Sequence, residues 1–320
     1  MRKSNFHAAG KTRIRRYHDG PPRRVTTLAI APTSLFALAT LIWGSTWLAI
    51  TFQLGVVAPE ASVVYRFALA AAMLALWCLA AGKSLRFSLR QHAWFAAQGA
   101  LLFGFNYLAV YRAEQYVASG LVAVLFSLIV FLNLAGVRVF FGTPISLRTA
   151  SGAVLGVAGV TLLFWREFGK SHGDALLGIA FGLGATVFAC GGNLLAVRNQ
   201  RHRVALLPGM AWSMGYGALV IAIVAVLEGT NWGFDPRPGY VLSLLYLAAF
   251  GSVIAFGAYL TLLGKIGAAR AGYVGVAVPV VALLLSSAFE QYEWTLAALT
   301  GVALCAAGNV LVLLPQRVRA

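Results

Sequence analysis

The sequence predicts an all-α integral membrane protein whose ten transmembrane helices form two inverted five-helix repeats. Composition is the first observation, because 60% of the 320 residues are hydrophobic, only 11% are charged, and the mean hydropathy is +0.81. A soluble domain carries about 25% charged residues, so this much apolar surface requires a lipid bilayer as solvent. The other two observations are a regular alternation of apolar runs with short polar joints and a weak internal repeat.

Apolar runs of membrane-crossing length account for most of the chain. Crossing a bilayer as a helix takes about 17–25 residues, and each run has about that length. The predicted spans are 33–53, 61–81, 93–112, 118–141, 148–165, 175–196, 208–228, 240–263, 269–289 and 295–314. The joints between these spans are too short to contain a soluble domain.

The distribution of basic residues predicts the orientation of the spans. Of the 25 Lys and Arg residues, 20 fall on the side of the N-terminal tail, 4 fall on the opposite side and Arg66 lies within a span. Because cytoplasmic segments carry the excess of Lys and Arg, both termini are predicted to be cytoplasmic, in a plasma or inner membrane. Residues 1–32 form a basic tail whose composition predicts disorder, and 315–320 form a second cytoplasmic tail. The net charge of +16 therefore reflects orientation, and no nucleic-acid partner is expected.

The sequence gives no indication of a metal, disulfide or nucleotide site. Cys78, Cys190 and Cys305 each stand alone in a different apolar run, which is neither a disulfide framework nor a metal-ligand pattern. The full phosphate-binding pattern, in which another Gly stands five residues before Gly-Lys-Ser or Gly-Lys-Thr, is missing, so ATP is not expected as a direct energy source. We therefore expect no cofactor.

Two pairs of stretches resemble each other in order and in Gly content. The matched stretches are 41–50 with 186–195 and 152–159 with 301–308. They divide the chain into halves at about 33–166 and 174–314, with five spans in each half. An odd number of spans makes the second half cross the membrane in the opposite sense, which is the inverted repeat of many secondary transporters. Such proteins bind substrate near the bilayer midplane, where the repeats meet.

Several short motifs resemble those of one known family. The motifs are Trp43-Gly44-Ser45-Thr46-Trp47-Leu48-Ala49-Ile50, Pro59 in the next joint, Tyr65-Arg66-Phe67, Tyr107 to Tyr111 before Ala118-Ser119-Gly120, Tyr259 before 268–272, and Glu293-Trp294-Thr295. On these residues, over about 33–314, the chain resembles the EamA-like family of the drug/metabolite transporter superfamily. The resemblance implies ten helices in two inverted repeats around a central cavity, and export of small metabolites. Gly142-Thr143-Pro144 departs from the family pattern, because a Glu is common there; Glu293 occupies the equivalent place in the second half.

Polar and aromatic residues within the spans are the candidates for lining a cavity, because a polar group in a membrane is costly unless it is paired or wet. The candidates are Trp43, Ser45, Thr46, Trp47, Asn106, Tyr107, Ser127, Asn193, Tyr259 and the helix-bending Pro279. An aromatic wall with neutral hydrogen-bonding groups suits a small amphipathic solute, including a zwitterion. The alternative is that these residues pack helices and form interhelical hydrogen bonds.

Two expectations concern where particular candidates point. Trp43 and Asn193 lie on corresponding helices of the two halves, so we expect them to face one shared cavity. Asn133 is less favoured, because it lies six residues after Ser127 and projects from a different helix face.

Charged residues near the span ends have structural roles in this interpretation. We expect Arg66 to pair with a nearby carboxylate such as Glu60 or Glu114, although it could also snorkel or meet an anionic group of the substrate. Glu293 is assigned a structural or ion-pairing role.

Proton coupling has few candidate residues in this sequence. No Asp, Glu or His lies near the middle of a span, so coupling would have to use Glu60, Glu114, Glu228 or Glu290 near the outer ends, or the substrate itself. We therefore expect transport to continue after a pH gradient is collapsed.

The sequence thus predicts a secondary transporter, and not an enzyme, that exports small organic metabolites by alternating access. Amino acids, related amphipathic solutes or drugs are the expected substrates, the lipid bilayer is the expected environment, and a homodimer is compatible with the sequence. The alternatives are an intramembrane enzyme, which would need a nucleophile and base or metal ligands at membrane depth, and a membrane scaffold without solute flux.

Overall fold

The computed structural model describes residues 31–141, 147–164, 174–266 and 273–313, and every regular element within these ranges is helical. No strand occurs among the described residues. Most of the predicted N-terminal tail, the joint Gly142-Thr143-Pro144 and the tail 315–320 lie outside them.

Each half of the chain contains one π-helical segment between α-helices. The elements of the first half are α1 (Pro32–Thr51), α2 (Pro59–Ala80), α3 (Leu89–Gly99), a π-helical segment (Ala100–Phe105), α4 (Asn106–Glu114), α5 (Ser119–Phe126), α6 (Ile129–Phe141) and α7 (Leu147–Phe164). Those of the second half are α8 (Asp174–Arg201), α9 (Leu206–Leu227), α10 (Pro238–Tyr246), a π-helical segment (Leu247–Ile254), α11 (Ala255–Ile266), α12 (Val274–Phe289) and α13 (Leu296–Leu313).

Seven helical stretches of the described chain are long and apolar enough to cross a membrane. They are Pro32–Thr51, Pro59–Ala80, Leu89–Glu114, Ser119–Phe140, Asp174–Arg201, Leu206–Leu227 and Pro238–Tyr259. Three shorter apolar helices cover Ala150–Leu163, Val274–Phe289 and Leu296–Val312, where the fifth, ninth and tenth spans were predicted. The described part of the chain is therefore all-helical, with several helices of the length and composition that cross membranes.

Local sequence explains where several of these helices begin. Pro59 and Pro238 stand in the first turns of α2 and α10, where a missing N–H costs nothing because the first turn has no intrahelical acceptor for it. Ser88 begins α3 with a capping box, because its side chain accepts from the Gln91 N–H while the Gln91 side chain accepts from the Ser88 N–H.

The predicted span 118–141 is found as the apolar stretch Ser119–Phe140, but its helix is interrupted. It is two helices, α5 and α6, separated by a turn at Ser127 and Leu128. The Ser127 Oγ donates to the Val124 carbonyl at 2.7 Å, which satisfies a carbonyl at the end of α5. This turn invalidates the face argument made for Asn133, because that argument assumed one continuous helix.

The two halves pack through glycine-rich helix contacts. The Gly-rich stretches in α7 and α13, matched in sequence, lie against each other. A Cβ added at Gly152 would fall 2.7 Å from the Gly308 carbonyl oxygen, and one at Gly301 would fall 2.6 Å from the Gly159 carbonyl oxygen. Side chains larger than hydrogen are therefore excluded, and the two backbones come into direct contact.

Candidate functional site

Trp43 joins α1 to the second half of the chain. Its indole Nε1 donates to the Gly251 carbonyl at 3.1 Å, and Gly251 lies within the second π-helical segment. The Trp43 ring also packs on Phe256 and Tyr259 of α11, with centroid distances of 5.1 and 5.2 Å. A π-helical segment has altered backbone hydrogen bonding and often marks a functional site.

Further aromatic rings extend this contact into the first half. Phe256 lies 5.8 Å from Phe103, which lies 5.5 Å from Phe67, which lies 4.7 Å from Tyr107, measured between ring centroids. We call this set the aromatic cluster, and its members are Trp43, Phe67, Phe103, Tyr107, Phe256 and Tyr259. Three of its members were predicted as cavity-lining residues. The three Phe rings were missed, because a Phe in an apolar span has the same sequence pattern whether it faces lipid or protein.

Arg66 lies against the aromatic cluster and is only 1% exposed. Its Cζ lies 4.5 Å from the Tyr107 ring centroid and 5.1 Å from that of Phe67, so the guanidinium makes cation–π contacts. Its Nε donates to the Ser252 Oγ at 3.4 Å, whereas its Nη1 has no hydrogen-bond partner. The cluster therefore has a buried cation whose Nη1 group makes no hydrogen bond.

The predicted ion pair of Arg66 is not observed. Within the described chain, no carboxylate lies within salt-bridge distance of Arg66. Glu60 instead pairs with Arg112, whose Nη2 lies 2.6 Å from Glu60 Oε1 and 2.8 Å from Glu228 Oε2. Arg112 has both carboxylates within reach because α2, α4 and the end of α9 meet at the same end of the bundle, whereas Arg66 points towards the second π-helical segment.

The polar neighbours of Trp43 on α1 also contact other helices. The Ser45 Oγ lies 2.7 Å from the Tyr246 hydroxyl and donates to the Leu41 carbonyl at 2.8 Å. The Thr46 Oγ1 donates to the Trp43 carbonyl, and the Trp47 ring packs 5.5 Å from that of Phe126. Gly44 allows the close approach of α12, since a Cβ there would fall 2.5 Å from the Val281 Cβ. Within the stretch 43–47, Gly44 packs α1 against α12, while Trp43 belongs to the aromatic cluster.

The asparagine candidates lie outside the aromatic cluster. The Asn106 Nδ2 donates to the Leu102 carbonyl at 3.0 Å, and its Oδ1 has no partner although the residue is 2% exposed. The Asn193 Nδ2 donates to the Asn133 Oδ1 at 3.4 Å, which is a partner that the sequence argument disfavoured. A cavity shared by Trp43 and Asn193 stays a prediction.

Ser127 and Pro279 line one small cavity together with Cys305 and Asn309. Its volume is about 10 Å³, which is room for about one water molecule. Asn309 has an unpartnered, buried Oδ1 that such a water could satisfy. Glu293 is exposed.

A larger cavity lies at the helix ends and not among the mid-span candidates. Its volume is about 230 Å³, and it is lined by residues 55–59, Gln115, Asn231 and Gly233. Within the aromatic cluster, the Trp43 ring contacts on Phe256 and Tyr259 hold α1 against α11.

Comparison with known proteins places these features in a family. The model of the EamA-like transporter family matches residues 32–165 and again 176–314. The uncharacterized inner membrane transporter YedA of Escherichia coli K12 is 30% identical over 270 residues, which are 82% of this chain and 85% of YedA. Protein PagO of Salmonella typhimurium is 24% identical over 266 residues, which are 81% of this chain and 84% of PagO. One solved crystal structure has a similar fold, with a TM-score of 0.64 and 20% identity over 88% of this chain and 95% of that one.

Proposed function

The chain belongs to the EamA-like transporter family, and from that premise we propose that it is a secondary transporter that exports small organic metabolites by alternating access. Amino acids and related amphipathic solutes are the proposed substrates. The observation that carries the proposal is the aromatic cluster with Arg66, which α1, α2, the first π-helical segment, α4 and α11 build from both halves of the chain.

We propose that the transport unit has ten spans in two inverted five-helix repeats. Support comes from the double match of the family model and from the three shorter apolar helices beside the seven long ones. The halves also share spacing, because α9 begins 147 residues after α2 and the second π-helical segment begins 147 residues after the first. Five spans per half would reverse the second half, and the excess of Lys and Arg on one side supports cytoplasmic termini.

The chemistry of the cluster supports the proposed substrate class. A guanidinium recognises a carboxylate through paired N–H donors, and the Nη1 of Arg66 is a free, buried donor. The surrounding rings offer apolar faces against which an amphipathic side chain could stack. In alternating access, solute would enter when Trp43 separates from Gly251 and Tyr259, because these contacts close the cluster here.

Efflux from liposomes tests this function. The purified full chain is reconstituted, the vesicles are preloaded with radiolabelled leucine, phenylalanine, glutamate or arginine, and efflux is compared with protein-free vesicles. Trp43→Ala should slow efflux of the transported amino acid by on the order of tenfold, since one stacking wall worth about 1–3 kcal/mol is lost. Trp77→Ala is the matched control, because Trp77 lies near the end of α2, is 48% exposed and does not belong to the cluster.

Each outcome of this assay discriminates between functions. Efflux at the protein-free rate for every amino acid would reject the proposed substrates, and equal slowing by Trp77→Ala would reject the aromatic cluster as the site. Chemical conversion of a solute would favour an enzyme, against which the family and its transporter-named relatives argue.

A further inference from the structure

A buried polar group lies beside the aromatic cluster, where α1 ends and α4 approaches its last turn. The Tyr111 hydroxyl donates to the Gln53 Oε1 at 2.6 Å, and both residues are 0% exposed. Glu114 follows Tyr111 by three residues and therefore lies on the same face of α4. Arg66 interacts electrostatically with both Tyr111 and Glu114. We call Gln53, Arg66, Tyr111 and Glu114 the Glu114 group.

Several atoms of the Glu114 group lack hydrogen-bond partners. Both carboxylate oxygens of Glu114 are buried without a partner, and the residue is 8% exposed. The Gln53 Nε2 and the Arg66 Nη1 are also unpartnered. An ionised carboxylate that is buried without a hydrogen bond is expensive by several kcal/mol, whereas a neutral carboxylic acid is much less so.

Glu290 is the second carboxylate that acts on Glu114. It follows α12 and accepts hydrogen bonds from the Ser119 backbone N–H at 3.2 Å and from the Ser119 hydroxyl at 2.5 Å. Both partners donate, so they stabilise Glu290 as a carboxylate. The negative charge of Glu290 disfavours a second negative charge at Glu114, and a proton bound at Glu114 removes that repulsion.

Among the described residues, neither α8 nor α5 adds a charged neighbour to Glu114. α8 packs against α4 and carries no carboxyl or basic group from 175 to 197, and its first residue, Asp174, is exposed. α5 carries none either. Glu60 is satisfied by Arg112, so among the described residues Glu114 is the buried carboxyl group that has no partner at all.

We propose that Glu114 is a proton-binding site whose occupancy changes as the outer ends of α4, α5 and α12 pack together or separate. In the packed arrangement described here, the Glu114 carboxyl holds a proton. When Ser119 and Glu290 separate, water reaches the carboxyl group, its O–H bond breaks, the proton passes to water, and the carboxylate becomes a partner for the free Nη1 of Arg66. Under the proposed transport function, this step couples proton movement to solute movement. It is opposed to the expectation of proton independence drawn from mid-span residues, and the transport experiment below decides between the two.

Infrared difference spectroscopy of the full chain in liposomes tests proton binding without any solute. Raising the pH should remove the absorption of a protonated carboxyl group, and Glu114→Gln should lose that band at every pH. Glu114→Asp should keep a titrating band, which controls for loss of folding, and Glu293→Gln should leave the band unchanged because Glu293 is exposed. A protonated-carboxyl band that survives in Glu114→Gln would overturn the proposal.

Transport by the same variants tests coupling. With an amino acid that the wild-type chain moves, Glu114→Gln should lose accumulation driven by a pH gradient, while exchange of labelled for unlabelled solute at equal pH should persist. Gradient-driven accumulation that persists in Glu114→Gln would show that the proton site does not couple. A wild-type chain that shows the infrared band but moves no amino acid would overturn the proposed function and leave the proton site standing.

Discussion

The two π-helical segments occupy equivalent places in the two halves but have opposite surroundings. The first, Ala100–Phe105, meets its neighbours through glycines. A Cβ at Gly104 would lie 3.3 Å from the Gly217 carbonyl oxygen, and one at Gly192 would lie 2.5 Å from the Leu102 Cβ. Backbones therefore come close, and little space is left for a solute.

The second segment, Leu247–Ile254, instead receives large polar side chains. Its Gly251 carbonyl accepts from the Trp43 indole, and its Ser252 hydroxyl accepts from Arg66. Position 213, which follows Arg66 by 147 residues, is a Ser that is 0% exposed and whose hydroxyl has no partner. The same backbone geometry thus meets neighbouring backbones at glycines in the first half and accepts hydrogen bonds from Trp43 and Arg66 in the second.

The largest expected effect comes from adding a methyl group where α9 packs against α3 and the first π-helical segment. Gly217→Ala would place a Cβ 2.8 Å from the Gly99 carbonyl oxygen and 2.9 Å from the Phe103 Cβ. We expect it to lower the free energy of unfolding by about 1–3 kcal/mol, because the backbones would have to move apart. The measurement is the thermal unfolding midpoint of the detergent-purified chain.

Gly257→Ala is the matched control for this substitution. It is also helical, but its added Cβ meets no atom within 4 Å, so the alanine should stabilise α11 by up to about 1 kcal/mol. Equal midpoints for the two variants would contradict the close-packing interpretation of the first π-helical segment.

The next effect compares Arg66 with Ser213, which occupies the corresponding position of the second half. Arg66→Met keeps an unbranched stem beside the rings but removes the guanidinium, so efflux of a carboxylate-bearing solute should fall by on the order of tenfold or more. Ser213→Ala should leave efflux unchanged, because the hydroxyl that it removes makes no hydrogen bond. The liposome assay measures both, and a greater loss in Ser213→Ala would reverse the assignment of chemical and packing sides.

A smaller effect concerns the two ion pairs of Arg112, one with Glu60 of the same half and one with Glu228 of the other. Glu228 belongs to the second half and its side chain is 46% exposed, so Glu228→Gln should cost about 0–1 kcal/mol of unfolding free energy. Glu60→Gln should cost more, since the Glu60 side chain is only 7% exposed and Arg112 would lose its buried partner. The thermal unfolding midpoints of Glu228→Gln and the wild type should differ at low salt and become equal at high salt, because salt screens an exposed ion pair. A difference that does not change with salt would contradict this.

The smallest effect lies in the loop between α9 and α10. Hydrogen bonds from Arg237 hold the pKa of Asp235 below its usual 3.8. A lowered folded-state pKa means that this contribution to stability is present above the unfolded pKa and is lost as the pH falls through the folded value. The corresponding joint of the first half, between α2 and α3, carries no carboxyl group, so that joint has no equivalent pH dependence.

Thermal midpoints of the wild type and Arg237→Gln should therefore converge as the pH is lowered from about 5 to about 3. A gap that widens on acidification would show that Arg237 acts through something other than the Asp235 carboxylate.

Hydropathy predicted most helices to within a few residues, because the length of an apolar run is fixed by the bilayer. The span 33–53 is observed as Pro32–Thr51 and 208–228 as Leu206–Leu227. The turn at Ser127 and Leu128 and both π-helical segments left no hydropathy pattern, since they change backbone hydrogen bonding without changing polarity.

The sequence indicated several of the residues in the aromatic cluster, but not which residues they contact. Trp43 and Tyr259 were proposed from sequence and lie in one cluster, but their connection through Phe256 and Phe103 depends on helices that are distant in sequence. Arg66 was expected to pair with a neighbouring carboxylate such as Glu60 or Glu114. In the structure Glu60 pairs with Arg112 instead, and separation along the chain does not predict which basic residue a carboxylate contacts.

The hydrogen bond between the Trp43 indole and the Gly251 carbonyl has an optical consequence. Indole emission and vibrational bands respond to the strength of the N–H hydrogen bond and to nearby water. Because α1 cannot leave the second π-helical segment without breaking this bond, the Trp43 side chain is a natural spectroscopic reporter of that separation. In a chain whose other seven tryptophans are replaced by phenylalanine, its emission would record each opening of the bundle without an attached dye.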